Sequence, residues 1–357
     1  MNKINLLVIV AITLVGCNKP MDEGWDYEQG IDVYVAGYES TEKGGRVAIL
    51  WKNGEAQNLT NILASGHGEA YAYSVYMSGS DVYVAGFQRT GIATESPRLW
   101  KNGVEQNITI TKTNAMYEFY ASFVCVSGSD VYVAGVECHA LCVARIWKNE
   151  VAQNLTDDIN YGSRVNYVYV AGNDVYVAGS EYRIRNGIYY HSAVLWKNGI
   201  VQNLTDEDTR LTAATSVYIS GNDVYVTGWE INAKNVSVAK LWKNGVVQNL
   251  TEGNTNAEAK SVYVSGNDVY VAGWEINAKN VSVAKLWKNG IVQNLTEGNT
   301  NAEAKSVYVS GNDVYVTGWE INTKNVSVAK LWKNSVARNL TDGSKHAEAS
   351  FVLVNEK

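Results

Sequence analysis

Residues 268–312 read DVYVAGWEINAKNVSVAKLWKNGIVQNLTEGNTNAEAKSVYVSGN, and most of the remaining chain is variation on this unit. Seven DVY starts fall at Asp32, Asp81, Asp130, Asp174, Asp223, Asp268 and Asp313, at spacings of 49, 49, 44, 49, 45 and 45 residues. A period of that length, dense in β-branched and aromatic residues, indicates a propeller or a similar all-β array. Within the unit, four runs alternate apolar with small or polar residues between turn signals and read as strands. They are A (Ser306 to Ser310), B (Asp268 to Gly273), C (Val283 to Lys288) and D (Ile291 to Thr296). Asn289-Gly290, between C and D, accepts positive φ and predicts a type I′ hairpin. Gly266-Asn267 predicts a second tight turn between A and B. The longer, polar B-to-C and D-to-A connections then lie at the opposite end of the sheet.

A lone sheet of this composition has two apolar faces and cannot bury both, whereas stacking the copies around an axis buries them. Each copy carries one Trp in strand C: Trp51, Trp100, Trp147, Trp196, Trp242, Trp287 and Trp332. These are expected to pack between sheets, each burial contributing about 4–6 kcal/mol as an upper bound. No strand A precedes Asp32, while Ser350-Phe351-Val352-Leu353-Val354 follows the last strand D. The expected fold is therefore an all-β, seven-bladed β-propeller over residues 31–357, with four antiparallel strands per blade. Its ring would be closed by the C-terminal strand (350–354) joining the first blade, leaving no open edge.

Residues 1–16 combine Lys3 with the apolar run Leu6 to Val15, too short to span a bilayer and consistent with a secretory signal. Leu14-Val15-Gly16-Cys17 resembles the bacterial lipobox, which implies cleavage before Cys17 and acyl chains on that residue. Two or more such chains suffice for stable anchoring. An ordinary signal peptide with an incidental Cys is the alternative. Asn18, in place of an Asp, favours the outer membrane over the inner, and Lys19, Asp22 and Glu23 faintly resemble surface-export signals, so periplasmic or cell-surface orientation stays open. Residues 17–30 read as a lipidated, flexible tether. The net charge of −6 becomes −7 once Lys3 leaves, and no basic stripe is present, so nucleic acid is not an expected partner. The expected partners are the membrane, through lipid on Cys17, and a glycan or protein ligand; the chain is expected to be monomeric.

Cys138 and Cys142 flank the short B-to-C connection of the third copy and are expected to form a disulfide in an oxidising compartment. Free thiols, or a metal held with His139, are the alternatives, but a C-x3-C pair with one His lacks a fourth ligand. Cys125 falls in a strand A slot and is expected to be a buried thiol. No cofactor and no metal are expected.

The architecture resembles propellers that bind ligands over the axial channel, on the face carrying the longer loops. With the copies aligned on the end of strand A, the position of Glu258 is filled in turn by Tyr71, Tyr120, Arg164, Ala213, Glu258, Glu303 and Glu348. Two residues later stand Tyr73, Ser122, Asn166, Thr215, Lys260, Lys305 and Ser350. Tyr71, Tyr73, Tyr120, Arg164, Glu258, Glu303 and Glu348 are the candidate ligand-binding residues, by stacking on sugar faces and hydrogen-bonding hydroxyls or by seating a peptide. Trp229, Trp274 and Trp319, after the Gly of strand B, would form either a sugar platform or a packing surface. The fourth copy has the longest B-to-C connection, Glu181 to Ser192, expected to be a loop on the rim.

Acid/base hydrolysis needs two carboxylates in unlike environments. Glu258, Glu303 and Glu348 are repeat-equivalent and are expected to share one environment. No GxSxG, HExxH, P-loop or dinucleotide fingerprint occurs. Over residues 32–357 the pattern resembles bacterial lipoproteins with DVYVAG and LWKNG propeller repeats, and it departs from WD40 proteins because Lys, not Asp, follows each Trp of strand C. That resemblance carries over no catalytic residue. The expected function is a membrane-anchored binding module of the cell envelope, with a glycan-cleaving hydrolase or lyase on the same face, or a structural scaffold, as alternatives.

Overall fold

The computed structural model describes residues 26–60, 68–89, 95–106, 118–138, 142–156, 162–185, 187–206, 209 and 211–357. Residues 1–25, which hold the leader and Cys17, lie outside them, as do His67 and His139. Among the described residues no helix is long and apolar enough to cross a membrane.

The quoted unit folds as four antiparallel strands, with A at Ala257–Ser265, B at Asp268–Ile276, C at Ser282–Lys288 and D at Ile291–Asn294. The other copies repeat the order A-B-C-D, from innermost to outermost, in four more four-stranded sheets and one of eight strands. The eight-stranded sheet is two antiparallel quartets joined by a single parallel bridge, Arg46↔Glu69. That bridge departs from the expected purely antiparallel pattern. The Arg46 side chain pairs with Glu69 at 3.0 Å, and its N–H donates to the Gly68 carbonyl at 3.0 Å. One of these quartets contains both ends of the chain. Ala347–Glu356 pairs with Ile31–Ser40 from Ile31↔Glu356 to Glu39↔Ala347. The closing strand is thus twice as long as residues 350–354 suggested.

Residues DVY and WKNG, repeated in nearly every copy, form a knot at the tight-turn end. Asn289 and Gly290 take φ of 52° and 80°, the left-handed values of a type I′ turn. The Asn289 amide donates to Asp268 Oδ1 at 2.7 Å, and Val269 N–H donates back to Asn289 Oδ1 at 2.8 Å. Lys288 pairs with Asp268 at 2.7 Å and lies over the Tyr270 ring at 5.2 Å. The A–B and C–D turns are laced together in this way in every copy; Asn53–Asp32 and Asn334–Asp313 are the first and last instances. The copies also share an Asn-x-Thr triplet after strand D, such as Asn58-Leu59-Thr60 and Asn294-Leu295-Thr296, and it has a similar explanation, since Thr296 Oγ1 accepts the Ala284 N–H at 3.3 Å and Thr60 accepts that of Ala48 at 3.2 Å.

The seven strand C tryptophans are 0–2% exposed. Trp287 sits among Ala257, Ala259 and Val262 of its own sheet and Tyr225, Ala239 and Leu241 of the preceding one. Trp51 has the equivalent surroundings, supplied by Val352 and Val354 of the terminal strand and by Tyr315, Ala329 and Leu331 of the last sheet. The innermost strands pack in sequence, Glu69–Ser78 on Glu118–Ser127, then Ser163–Ala171, Thr212–Ser220, Ala257–Ser265, Ala302–Ser310 and Ala347–Glu356, which returns to Glu69–Ser78.

Of the expected tether, residues 17–25 lie outside the described residues, and residues 26–30 pack on the body. The Tyr27 ring lies under Arg338, whose guanidinium is 4.7 Å from its centre, Glu28 pairs with Lys333, and Ile31 N–H donates to the Glu28 carbonyl at 3.2 Å. Asp26–Gly30 is therefore part of the folded body.

Candidate functional site

Each innermost strand carries a β-bulge at the same place. In the quoted unit Ala259 faces Gly273 and Ser261 faces Ala272, so Lys260 is skipped by the ladder. The Gly of DVYVAG makes this possible: a Cβ at Gly273 would overlap the Glu258 carbonyl oxygen, and the same holds at Gly37, Gly86, Gly179, Gly228 and Gly318. A bulge re-aims the extra residue out of the normal in–out alternation. The residues skipped are Tyr73, Ser122, Asn166, Thr215, Lys260, Lys305 and Ser350. Six of them line one cavity of about 610 Å³ between the innermost strands, and the side chain of the seventh, Ser122, lies outside the described set.

The next position along the strand contributes Phe123, Tyr167, Ser261 and Phe351 to the cavity floor. Ser74, Ser216, Ser261 and Ser306 accept backbone N–H bonds from the following innermost strand, as at Val124 with 3.0 Å and Val352 with 3.3 Å. In the remaining three copies that position is aromatic. Phe123 lies 3.8 Å from Tyr167 and 4.8 Å, edge-on, from Phe351. These three rings meet across the axis, and Tyr167 and Phe351 are open to the cavity along with Phe123. Beyond them the rings of Tyr169, Tyr218, Tyr263 and Tyr308 step round the axis at 5.2, 4.8 and 4.7 Å.

The wall is neutral on one side and charged on the other. Asn166 donates to the Ala214 carbonyl and Thr215 to that of Ala259, both at 2.7 Å, so each bulge side chain also ties its sheet to the next. Lys260 pairs with Glu258 of its own strand, whereas Lys305 reaches across to Glu348. Glu348 also accepts the Tyr38 hydroxyl at 2.9 Å. Glu303 is left between the two lysines. Burial pushes its carboxyl above the usual range; the Lys260 and Lys305 ammoniums pull it down, and Glu348 and Glu258 add to the rise. The three repeat-equivalent carboxylates therefore have unlike surroundings, contrary to the expectation from their sequence equivalence, because neighbouring copies place their lysines differently.

Because the folded Glu303 carboxyl titrates above its unfolded value, its ionisation costs stability as pH rises through the folded value and costs nothing below the unfolded one. Glu303→Gln is accordingly expected to melt above the parent near pH 8 and not above it near pH 4. An equal offset at both pH values, by scanning calorimetry, would remove ionisation of Glu303 as the cause.

Of the candidate residues, Tyr73, Arg164 and Glu303 line the cavity. Glu258 and Glu348 stand behind its lysines. Tyr71 does not line it: its ring is stacked on Phe87 at 4.9 Å and meets Tyr38 edge-on at 4.8 Å, and its hydroxyl is engaged by Arg46. Tyr120 is placed in strand Glu118–Ser127, but its side chain lies outside the described set. Trp229, Trp274 and Trp319 pair with Ala213, Glu258 and Glu303 in register, are half-buried and do not line the cavity. Residues 181–192 are not a loop: strands Asp174–Arg185 and Ile188–Lys197 stay paired out to Arg185↔Ile188. There His191 packs edge-on against Tyr182 at 4.2 Å. Cys138 and Cys142 face each other in register, are joined by a disulfide and sit in the cavity wall, while Cys125 is a buried free thiol. Among the described residues no group of three or more His, Cys, Asp or Glu is placed to hold a metal ion. The floor residues Phe123, Tyr167 and Phe351 escaped the sequence reading, although the Ser-to-aromatic change at one repeat position was visible.

No family model matches the chain, and no curated protein matches it in sequence. Its fold is similar to the β-propeller domain of the Trilobed protease from Pyrococcus furiosus (11% identity, TM-score 0.52, 90% of this chain and 98% of that one). It is also similar to a puromycin-hydrolyzing peptidase of Mycobacterium tuberculosis (9%, TM-score 0.56, 88% and 52%) and to Pyrococcus horikoshii acylaminoacyl peptidase (11%, TM-score 0.52, 89% and 52%). The chain spans about half the length of these two peptidases. At such identities the likeness establishes one thing, that the chain has the architecture of a β-propeller.

Proposed function

We propose that this protein is a lipid-anchored component of the bacterial outer membrane, a closed seven-bladed propeller that binds a glycan in its axial cavity without cleaving it. Counting the eight-stranded sheet as two blades joined at Arg46↔Glu69 supports seven blades. The pairing of Ala347–Glu356 with Ile31–Ser40 supports closure, in contrast to the Pyrococcus furiosus domain, which is described as having an open velcro topology. The lipobox-like Leu14-Val15-Gly16-Cys17 supports the anchor.

One observation carries the binding reading. The residues that recur among the copies are explained by turns and packing, whereas the bulge residues vary from copy to copy and, where their side chains are described, line one shared cavity. Aromatic rings on its floor offer stacking surfaces to sugar faces, and Tyr73, Lys260, Lys305 and Arg164 offer hydrogen bonds and charge from the wall. A hydrolase or lyase on the same site is the second reading, favoured by the raised Glu303 beside ion-paired Glu258 and Glu348.

A glycan array probed with the parent and with Ser350→Trp, which fills the cavity, tests the proposal. Glycans retained by the parent should be lost by Ser350→Trp and weakened about tenfold or more by Lys260→Ala with Lys305→Ala, each protein being checked as folded by circular dichroism at the array temperature. Equal retention by all three proteins would exclude the cavity. Turnover of a retained glycan that disappears in Glu303→Gln would replace the binding reading with the catalytic one.

A further inference from the structure

The tight-turn face, opposite the cavity mouth, carries a ring of aliphatic side chains that the packing does not use. Immediately after the C–D turn stand Val104, Val151, Ile200, Val246 and Ile291, each 64–76% exposed. They come from five separate sheets, at one repeat-equivalent position. Scattered exposed aliphatics are ordinary, but a set placed on one face at regular intervals marks an interaction surface. The lysines beside them add no free positive charge. Lys101, Lys148, Lys197, Lys243 and Lys288 are each ion-paired at 2.7–2.8 Å to the Asp that opens their own strand B.

The chain enters the body on this same face. The Tyr27 ring lies against Gly54 in the first C–D turn, and Glu28 pairs with Lys333 at the edge of the last one. Eight residues, and so nine Cα-to-Cα steps, separate Cys17 from Asp26, a reach of about 30 Å at full extension. Strands of nine to ten residues make the body roughly 30 Å thick along its axis. A tether rooted on the turn face therefore holds that face towards any bilayer that receives the acyl chains, and cannot reach round to present the mouth.

We propose that the aliphatic ring rests in the headgroup region of the bilayer, so that the protein sits turn face down with its cavity opening away from the membrane. This rests on the anchor at Cys17. The ring is aliphatic and its lysines are neutralised, so the contact is driven by apolar burial and not by anionic lipid. It fixes orientation, and leaves affinity to the acyl chains.

The test uses the full lipidated protein in vesicles of phosphatidylethanolamine and phosphatidylcholine. An environment-sensitive fluorophore is attached at Ile291→Cys, at Ile200→Cys, or at Lys324→Cys on the exposed B-to-C loop of the opposite end. Labels at positions 291 and 200 should be quenched several-fold more than the label at 324 by lipid carrying a headgroup-level nitroxide, with no change at high salt. Equal, weak quenching at all three positions in protein that floats with the vesicles would overturn the docking and leave the anchor standing. Failure to float, with an unmodified Cys17 by mass spectrometry, would overturn both. Shielding of 291 that depends on protein density and persists without lipid would assign the ring to a second copy of the chain instead.

Discussion

A chain lacking Phe351–Lys357 is expected to be unfolded, or to aggregate, at room temperature. Val352 and Val354 are 0% and 5% exposed, and Phe351 and Leu353 are partly buried against the axis and the neighbouring sheet. Removing four such side chains forfeits on the order of 5–10 kcal/mol of burial, comparable to the whole stability of an ordinary domain. The loss is not local. Trp51 would lose Val352 and Val354 from one side of it, and Ile31–Ala36 would become an unpaired edge facing the axis. The Val352 N–H bond to Ser306 would go as well. A peptide of residues 347–357 added in trans should restore the transition by filling the same slot. A truncated chain with the parent's cooperative melt would show that the terminal strand does not close the body.

Trp287→Ala should cost about 3–5 kcal/mol. The indole is 1% exposed, between two sheets, and its Nε1 has no hydrogen-bond partner, so the substitution removes packing and leaves no polar group newly orphaned. The cavity left behind would be bounded by Ala257, Ala259, Ala239 and the β-branched Val262, small or stiff residues on paired strands that cannot collapse into it. The orphaned indole N–H makes a second outcome informative. Trp287→Phe should lose much less than Ala, because a ring that fills most of the space dispenses with an unsatisfied donor. Denaturant melts of both variants measure this. A cost below about 1 kcal/mol for Trp287→Ala would contradict a packing role.

The repeat, its four strands and the two kinds of turn were legible in the sequence because each has a local chemical mark: period-two alternation, Asn-Gly, and one Trp per copy. Strand A was read as Ser306 to Ser310 although it begins at Ala302. The reason is the bulge at Lys305, which breaks the alternation and turns Glu303 and Lys305 towards the cavity, so that the first half of the strand looks like polar loop. The same bulge explains the partial success at the site. The position of Tyr71, Glu258 and Glu348 was chosen for side chains that can stack or hydrogen-bond near the longer loops, but the cavity is lined chiefly by the residue two places on, which the bulge re-aims. Hairpin extension in the fourth copy was read as a loop by analogy with the B-to-C connections of the other copies, although Tyr182-Arg183-Ile184-Arg185 alternates and Asn186-Gly187 offers a turn; cross-strand pairs such as Tyr182–His191 hold it. The departure at residues 26–30 is of another kind, since Tyr27 and Glu28 are fixed by Arg338 and Lys333, more than 300 residues away, which no local pattern announces.

Amide hydrogen exchange along Ile31–Ser40 and Ala347–Glu356 tests most directly whether the first and last strands shut the copies into one ring. If they do, amides that point across the pair, such as Tyr34, Ala36, Leu353 and Asn355, should exchange only through global opening, as slowly as those of the interior strands Asp268–Ile276 and Ala302–Ser310. Exchange of the terminal pair orders of magnitude faster than those interior strands would mean that the ends part while the rest stays folded, and would contradict the closed ring on which the cavity depends.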